Sequence, residues 1–200
     1  MDEHGRCKII GLTGGTGTGK SSVAHYFERD GIMIIDGDKI SREVTRKGEP
    51  CLDEIAENFE GVIRPDGELD RRKLSHIVFS DPEKLGLLNR ITHKYIIAEM
   101  ERLIEGCDEP GVIIDAAALI ESGLSERCDV IIAVVADKEL RARRIMARDE
   151  MTFDEARERI GAQKEDSFYT DRADFVIFNN GDADELEMQT GMIIGVIFGQ

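Results

Sequence analysis

Short apolar runs recur along the chain, separated by longer amphipathic stretches. "KIIGLT" (Lys8 to Thr13), "IMII" (Ile32 to Ile35), "GVIID" (Gly111 to Asp115), "VIIAVVA" (Val130 to Ala136) and "FVIF" (Phe175 to Phe178) are short blocks rich in β-branched or aromatic residues. Blocks of this length without polar alternation read as strands buried on both faces of a parallel sheet. Between them the pattern turns helical, from Lys20 to Arg29 and again from Pro82 to Glu105. In the second stretch Leu85, Leu88, Ile91, Tyr95, Ala98 and Leu103 recur at roughly helical spacing. Strands alternating with helices imply right-handed crossovers, and so an α/β domain of three layers around a five-stranded parallel sheet.

One region breaks the alternation. Residues 39–107 hold four or five helix-like segments and no convincing strand, which marks a helical lobe inserted between the second and third strands. Residues 141–170, again helical, follow the fourth strand as a small lid region. The whole of 1–200 is thus one domain with an inserted lobe, free of internal repeats and low-complexity linkers. The apolar tail "GMIIGVIFGQ" is too short to span a bilayer and reads as the end of a packed helix or strand.

Composition narrows the classes of function. Apolar residues make up 41% of the 200, ample for a buried core, and the formal net charge is −15. That charge argues against a nucleic-acid partner, because affinity for phosphate backbones comes largely from clustered Lys and Arg. A small anionic ligand in a local basic pocket remains compatible with it. No targeting signal opens the chain, and no uncharged run approaches the ~18 residues of a membrane span. Cys7, Cys51, Cys107 and Cys128 are scattered without a CxxC pair, so neither a zinc site nor a disulfide framework is expected and a cytoplasmic location is. A monomer and a small homo-oligomer fit equally well.

The chemistry concentrates first in "GLTGGTGTGKSSV". Glycine gives up more freedom on folding than any other residue, so such crowding needs a reason. Gly14, Gly19, Lys20 and Ser21 fit G-x-x-x-x-G-K-[ST], a Walker A phosphate loop, with a strand before it and a helix after it as the motif requires. Bare backbone lets successive N–H groups converge on phosphate oxygens. Gly14, Gly15, Thr16, Gly17, Thr18, Gly19, Lys20, Ser21 and Ser22 are therefore the candidate nucleotide-binding residues. Lys20 is expected to reach the β- and γ-phosphates and Ser21 to ligate Mg²⁺.

An acceptor site belongs at the carboxyl ends of the other strands. The second strand runs into Asp36-Gly37-Asp38, and a carboxylate that orients a hydroxyl proton is what phosphoryl transfer to an alcohol needs. The alternative role for Asp38 is to cap the next helix, and the two roles can coexist. The third strand ends in Asp115, the Walker B arrangement for a metal ion, although a strand-end Asp also caps turns. Arg141, Arg144 and Arg148 fall on one face of a helix after the fourth strand. Such a row either stabilises a transferring phosphoryl group or forms a solvated face.

With "GIMIIDGDKISREV", "GELDRRKL", "LLNRITH", "LIESGL", "CDVIIAV", "RARRIMARD", "RIGAQ" and "ADFVIFNNG" in this order and spacing, the chain resembles the dephospho-CoA kinases, a family of P-loop kinases. The resemblance implies an ATP-dependent kinase that phosphorylates the ribose 3′-hydroxyl of dephospho-CoA, with ATP as donor and Mg²⁺ as cofactor. On the matching positions it makes Asp38 the base or orienting carboxylate. It makes Arg148 and Arg144 lid arginines that, with Lys20, serve the transfer, and it places Asn179 near the adenine of ATP. Thr13, Asp36, Arg71 and His93 lie on the acceptor side. The departures are Gly37 within the family's D-A-D, Lys94 where it usually has proline, and Ala117-Ala118 where it usually has Pro-Leu. A related nucleoside or nucleotide kinase is the alternative enzyme. A P-loop switch protein is the alternative of another class, though the chain lacks the N-K-x-D guanine motif and carries an acceptor-like lobe.

Overall fold

The computed structural model describes residues 7–199. Residues 1–6, where a targeting signal was sought, and Gln200 of the apolar tail lie outside these. The backbone divides into two compact units, one of Met1–Ile35 with Cys107–Gln200 and one of Asp36–Gly106.

The first unit is built on strands β1 (Lys8–Thr13), β2 (Met33–Asp36), β3 (Gly111–Asp115), β4 (Val130–Val135) and β5 (Phe175–Phe178). They form one sheet in the order β2-β3-β1-β4-β5. Strand β1 runs parallel to β3 and β4, with Leu12 opposite Asp115 on one side and Ile132 on the other, and β4 runs parallel to β5. A central strand flanked on both edges must bury both faces, which is why β1 reads as an apolar run rather than an alternating one. Side chains two apart share a face. Ile10 and Leu12 of β1, with Ile113, Ile132, Val134 and Ile177, meet Val23 and Phe27 of helix α1 (Lys20–Arg29). They also meet Leu186, Ile193, Ile194 and Ile197 of the C-terminal helix. Each fully buried side chain of this kind contributes about 1.5–3 kcal/mol. The apolar tail is therefore helical and belongs to the main core. Strand β2 starts one residue later than its apolar run, because the Ile32 N–H turns back to the Phe27 carbonyl at 3.1 Å and closes the exit from α1.

The second unit is helical: α2 (Gly37–Glu43), α3 (Pro50–Asn58), α4 (Arg71–Phe79) and α5 (Pro82–Glu105), with one isolated antiparallel bridge between Ile63 and Leu69. Its start at Asp36 follows from a cap. The Asp36 carboxylate accepts the Lys39 N–H at 2.9 Å and begins α2 directly at the end of β2. Asp70 and Asp81 cap α4 and α5 in the same manner, and Pro50 and Pro82 stand in the first turns of α3 and α5, where a missing N–H costs nothing. Cys51, Leu52, Ile55, Phe59, Leu74, Val78 and Ile91 make a core of this unit's own. Glu54 of α3 accepts the Tyr95 hydroxyl at 2.7 Å and pairs with Lys94 at 2.5 Å. The lysine that stands in place of the family's usual proline is thereby tied into α3.

The rest of the first unit comprises α6 (Lys138–Asp149), α7 (Phe153–Gly161), α8 (Asp166–Thr170) and the C-terminal α9 (Ala183–Phe198). Helices α6 and α7 form a hairpin that packs Ala142 and Ile145 against Ala156 and Ile160. The turn between them is set by Glu150 in the left-handed region (φ 54°) and by a reciprocal cap. The Thr152 N–H donates to the Glu155 carboxylate at 2.8 Å, and the Glu155 N–H donates to the Thr152 hydroxyl at 3.4 Å. Among the described residues no helix is long and apolar enough to cross a membrane.

Candidate active site

The loop between β1 and α1 is shaped by its own contacts. The Thr18 hydroxyl donates to the Gly15 carbonyl at 2.9 Å, closing the loop on itself. Gly17 (φ 76°) and Gly19 (φ 91°) adopt left-handed backbone that other residues reach only at a cost. Gly19 precedes α1 without any side-chain cap, so the positive end of the helix dipole faces the loop and favours an anion there. Ser21 and Ser22 are exposed on that first turn. The Thr13 hydroxyl at the end of β1 is buried and has no hydrogen-bond partner among the described residues, a costly arrangement that a water or a polar ligand group would relieve.

Two strands and two helices bring further candidates to this loop. Lys20 forms an ion pair with Asp115 at the end of β3, adjacent to β1 in the sheet, and both side chains are largely buried. Arg144 of α6 donates to the carbonyls of Gly17 (3.5 Å) and Thr18 (3.4 Å) and to the carbonyl and side-chain oxygen of Asn179 (3.1 and 3.2 Å). Burial lowers its pKa from the ordinary guanidinium value. Asn179, buried just past β5, donates in turn to the Thr18 carbonyl at 2.7 Å. A side chain added at Gly19 would strike the Asn179 amide, and one added at Gly14 would strike the Val134 carbonyl of β4. Those glycines are needed by the protein's own packing as well as by the curvature of the loop.

The arginine row splits. Arg141 and Arg144 turn toward the loop. Arg148, exposed near the end of α6, instead forks onto Asp149 at 2.7 and 2.8 Å. Arg159 of α7 donates to the same carboxylate at 2.6 Å. The hydrogen bond and charge of Arg148, with the charge of Arg159, hold the Asp149 carboxyl down to about 2.

Within the helical unit, Asp36 has the capping duty and Asp38 does not. Asp38 lies exposed in the first turn of α2, and its carboxylate has no partner among the described residues. Its carbonyl accepts the Arg42 Nε at 3.1 Å. Arg71, at the start of α4, donates to the Thr45 hydroxyl at 2.7 Å, and burial together with the nearby Arg42 charge lowers its pKa. Arg42 is thus a second cation beside Arg71 that the sequence reading passed over, although it sits one helical turn beyond Asp38. His93 is half-buried on α5. Ala117 and Ala118, the other departures from the family pattern, are exposed in the turn after β3.

Comparison with known proteins agrees in extent as well as in motif. The family model described as Dephospho-CoA kinase matches residues 8–185. The chain is 36% identical over 195 residues to "Dephospho-CoA kinase" of Corynebacterium glutamicum, covering 96% of this chain and 98% of that protein. It is 40% identical over 191 residues to the protein of that name from Bacillus licheniformis, covering 93% and 94%. The solved structure of TT1252 from Thermus thermophilus superposes with a TM-score of 0.83 at 30% identity over 96% of this chain and 98% of that one. With a P-loop between β1 and α1, a five-stranded sheet and matches of this length, the chain belongs to the dephospho-CoA kinase family.

Proposed function

We propose that the chain transfers the γ-phosphoryl group of ATP to the ribose 3′-hydroxyl of dephospho-CoA, giving ADP and coenzyme A. The observation that carries this reading is the glycine loop closing on the uncapped end of α1, with Lys20 at its rim, in a chain of this family. Backbone N–H groups of the loop, other than that of Thr16, which donates to Gln163, and the Lys20 ammonium bind and orient the β- and γ-phosphates and offset the charge that spreads over the γ-oxygens during transfer. Asp38 orients the acceptor hydroxyl and takes its proton; its carboxylate is spared for this because Asp36 caps α2. Arg144 and Arg148 are the lid arginines of the reaction, and Asn179 stands by the adenine. Thr13, Asp36, Arg71 and His93 serve the acceptor.

The Ser21 hydroxyl and the Asp115 carboxylate are hard oxygen donors of the kind that suits Mg²⁺, and they are the residues that would hold it. When bound, the ion neutralises charge on the phosphate oxygens.

The test is ADP release with Mg-ATP and a panel of acceptors: dephospho-CoA, adenosine, AMP, cytidine and water alone. Release that depends on dephospho-CoA and yields coenzyme A supports the reading. Turnover on another acceptor transfers it to a nucleoside or nucleotide kinase, and ATP binding without turnover on any of them transfers it to a switch protein.

A further inference from the structure

Arg141 is the largest fully buried side chain among the described residues, with 1% of its surface exposed. A guanidinium removed from water is tolerated only where its donors are met, and a hydrocarbon side chain would fill the same volume at less cost. The partners explain its presence. Nε donates to the Thr16 carbonyl at 2.9 Å, Nη1 to Asp166 at 2.9 Å and Nη2 to the Gln163 side-chain oxygen at 3.1 Å. That same Gln163 oxygen accepts the Thr16 N–H at 2.8 Å. One peptide group on each side of Thr16 is therefore gripped, the carbonyl from α6 and the N–H from the turn between α7 and α8.

We infer that Arg141, with Gln163 and Asp166, is the positioning device of the phosphate loop, a role that rests on reading the loop as the ATP site. In a loop that binds phosphate, carbonyl oxygens must be turned away so that amide hydrogens are presented. Arg141 draws back the carbonyl of Thr16, and Arg144, one turn on, draws back those of Gly17 and Thr18. The shared Gln163 oxygen fixes the tilt of the Thr16 amide and connects the loop to the end of the α6–α7 hairpin. Gly15 is bare because a side chain there would collide with the Arg141 guanidinium and with Gln163. Gly17 is bare partly because its side chain would come 2.8 Å from the Arg141 carbonyl. A lysine at 141 keeps the charge but is a point donor, unable to hold three acceptors in one plane. The final residue of "RIGAQ", otherwise unexplained, acquires a task.

The test uses the full chain with Gln163→Met, which keeps length and removes the acceptor at a half-buried position, together with Arg141→Lys and the double variant. Affinity for a non-hydrolysable Mg-ATP analogue is measured without acceptor, KM for dephospho-CoA separately, and Tm for each protein. Gln163→Met is expected to weaken the analogue by about tenfold with acceptor KM unchanged. The double variant is expected to bind no more weakly than Arg141→Lys alone, since the two side chains act as one unit. Wild-type analogue affinity in Gln163→Met, or equal rises in both constants, overturns the inference whatever happens to Tm. Because analogue binding needs no acceptor, the outcome is independent of whether dephospho-CoA proves to be the substrate.

Discussion

The Asp36 carboxylate caps α2 by accepting the Lys39 N–H at 2.9 Å, while Asp38, two residues later in the same acidic pair, has its carboxylate uncommitted among the described residues. The two positions therefore separate by experiment. Asp38→Asn should lower turnover by about 10²–10⁴-fold and leave ATP affinity and Tm near wild type. Asp36→Ala should cost about 1 kcal/mol of stability through loss of the cap. Denaturant melts and steady-state kinetics on both variants decide it, and near wild-type turnover in Asp38→Asn would remove that residue from the reaction.

Lys20 has two demands on it, the Asp115 carboxylate that it pairs with and the phosphates it is proposed to bind. Lys20→Ala should reduce turnover by about 10²–10³-fold, the scale of losing one charge-stabilising donor. Single-turnover kinetics at saturating ATP measure this, and a defect confined to KM would assign Lys20 to binding alone.

The hairpin of α6 and α7 should loosen in acid. The Asp149 carboxyl is held down to about 2, below the ordinary 3.8, by Arg148 and then by the Arg159 charge. A depressed carboxyl stabilises above its unfolded value and loses that contribution as pH falls toward the folded one. Protection of α7 amides against hydrogen exchange, taken relative to the intrinsic rate at each pH, should fall between about pH 4 and 2, the window set by these two values. Asp149→Asn should show the looser exchange already at neutral pH.

At the alkaline end two thiols, buried Cys7 and half-buried Cys128, are expected to matter. Burial first, then the Asp129 charge, pushes Cys128 up to about 12 from 9.0, and burial first, then the Cys107 hydrogen bond, does the same for Cys7. A raised acid stabilises fully below its unfolded value and ceases to as pH climbs through the folded one, so Tm should fall between pH 9 and 12. Cys128→Ala should flatten that fall. An unchanged slope in the variant would show that other groups govern alkaline unfolding.

The fold core gives a reference perturbation. Leu12 is fully buried at the centre of the sheet, and Leu12→Ala should cost about 2–5 kcal/mol. Equilibrium unfolding in urea measures it.

The strands were legible because each is a compact apolar run: β1, β3 and β5 coincide with their runs, and α5 with its helical spacing. Both features are local, recorded in neighbouring residues. That the elements between β2 and β3 are helices was visible for the same reason, as a long stretch without any such run. What was hidden is which partner each helical face meets. Arg141, Arg144 and Arg148 share a face by spacing, yet one is buried under the loop, one is shared with Asn179 and one pairs with its neighbour Asp149. Periodicity identifies a face but says nothing of what lies opposite. The sulfur atoms of Cys7 and Cys107, 2.8 Å apart across a separation of 100 residues, were invisible on the same grounds, since only the pairing of β1 with β3 brings their flanks together. The choice between Asp36 and Asp38 as cap turned on a single residue at a helix start, finer than any apolar pattern resolves.

Bare positions in the nucleotide loop answer to two masters. Gly14, Gly15 and Gly19 are confined by the Val134 carbonyl, the Arg141 guanidinium and the Asn179 amide before any phosphate arrives. Alanine replacements there would dislodge the loop from its own scaffold, so a dead enzyme at these sites would say little about nucleotide recognition. In this chain the informative probes of that recognition are the side chains around the loop, and its glycines record the architecture that they build.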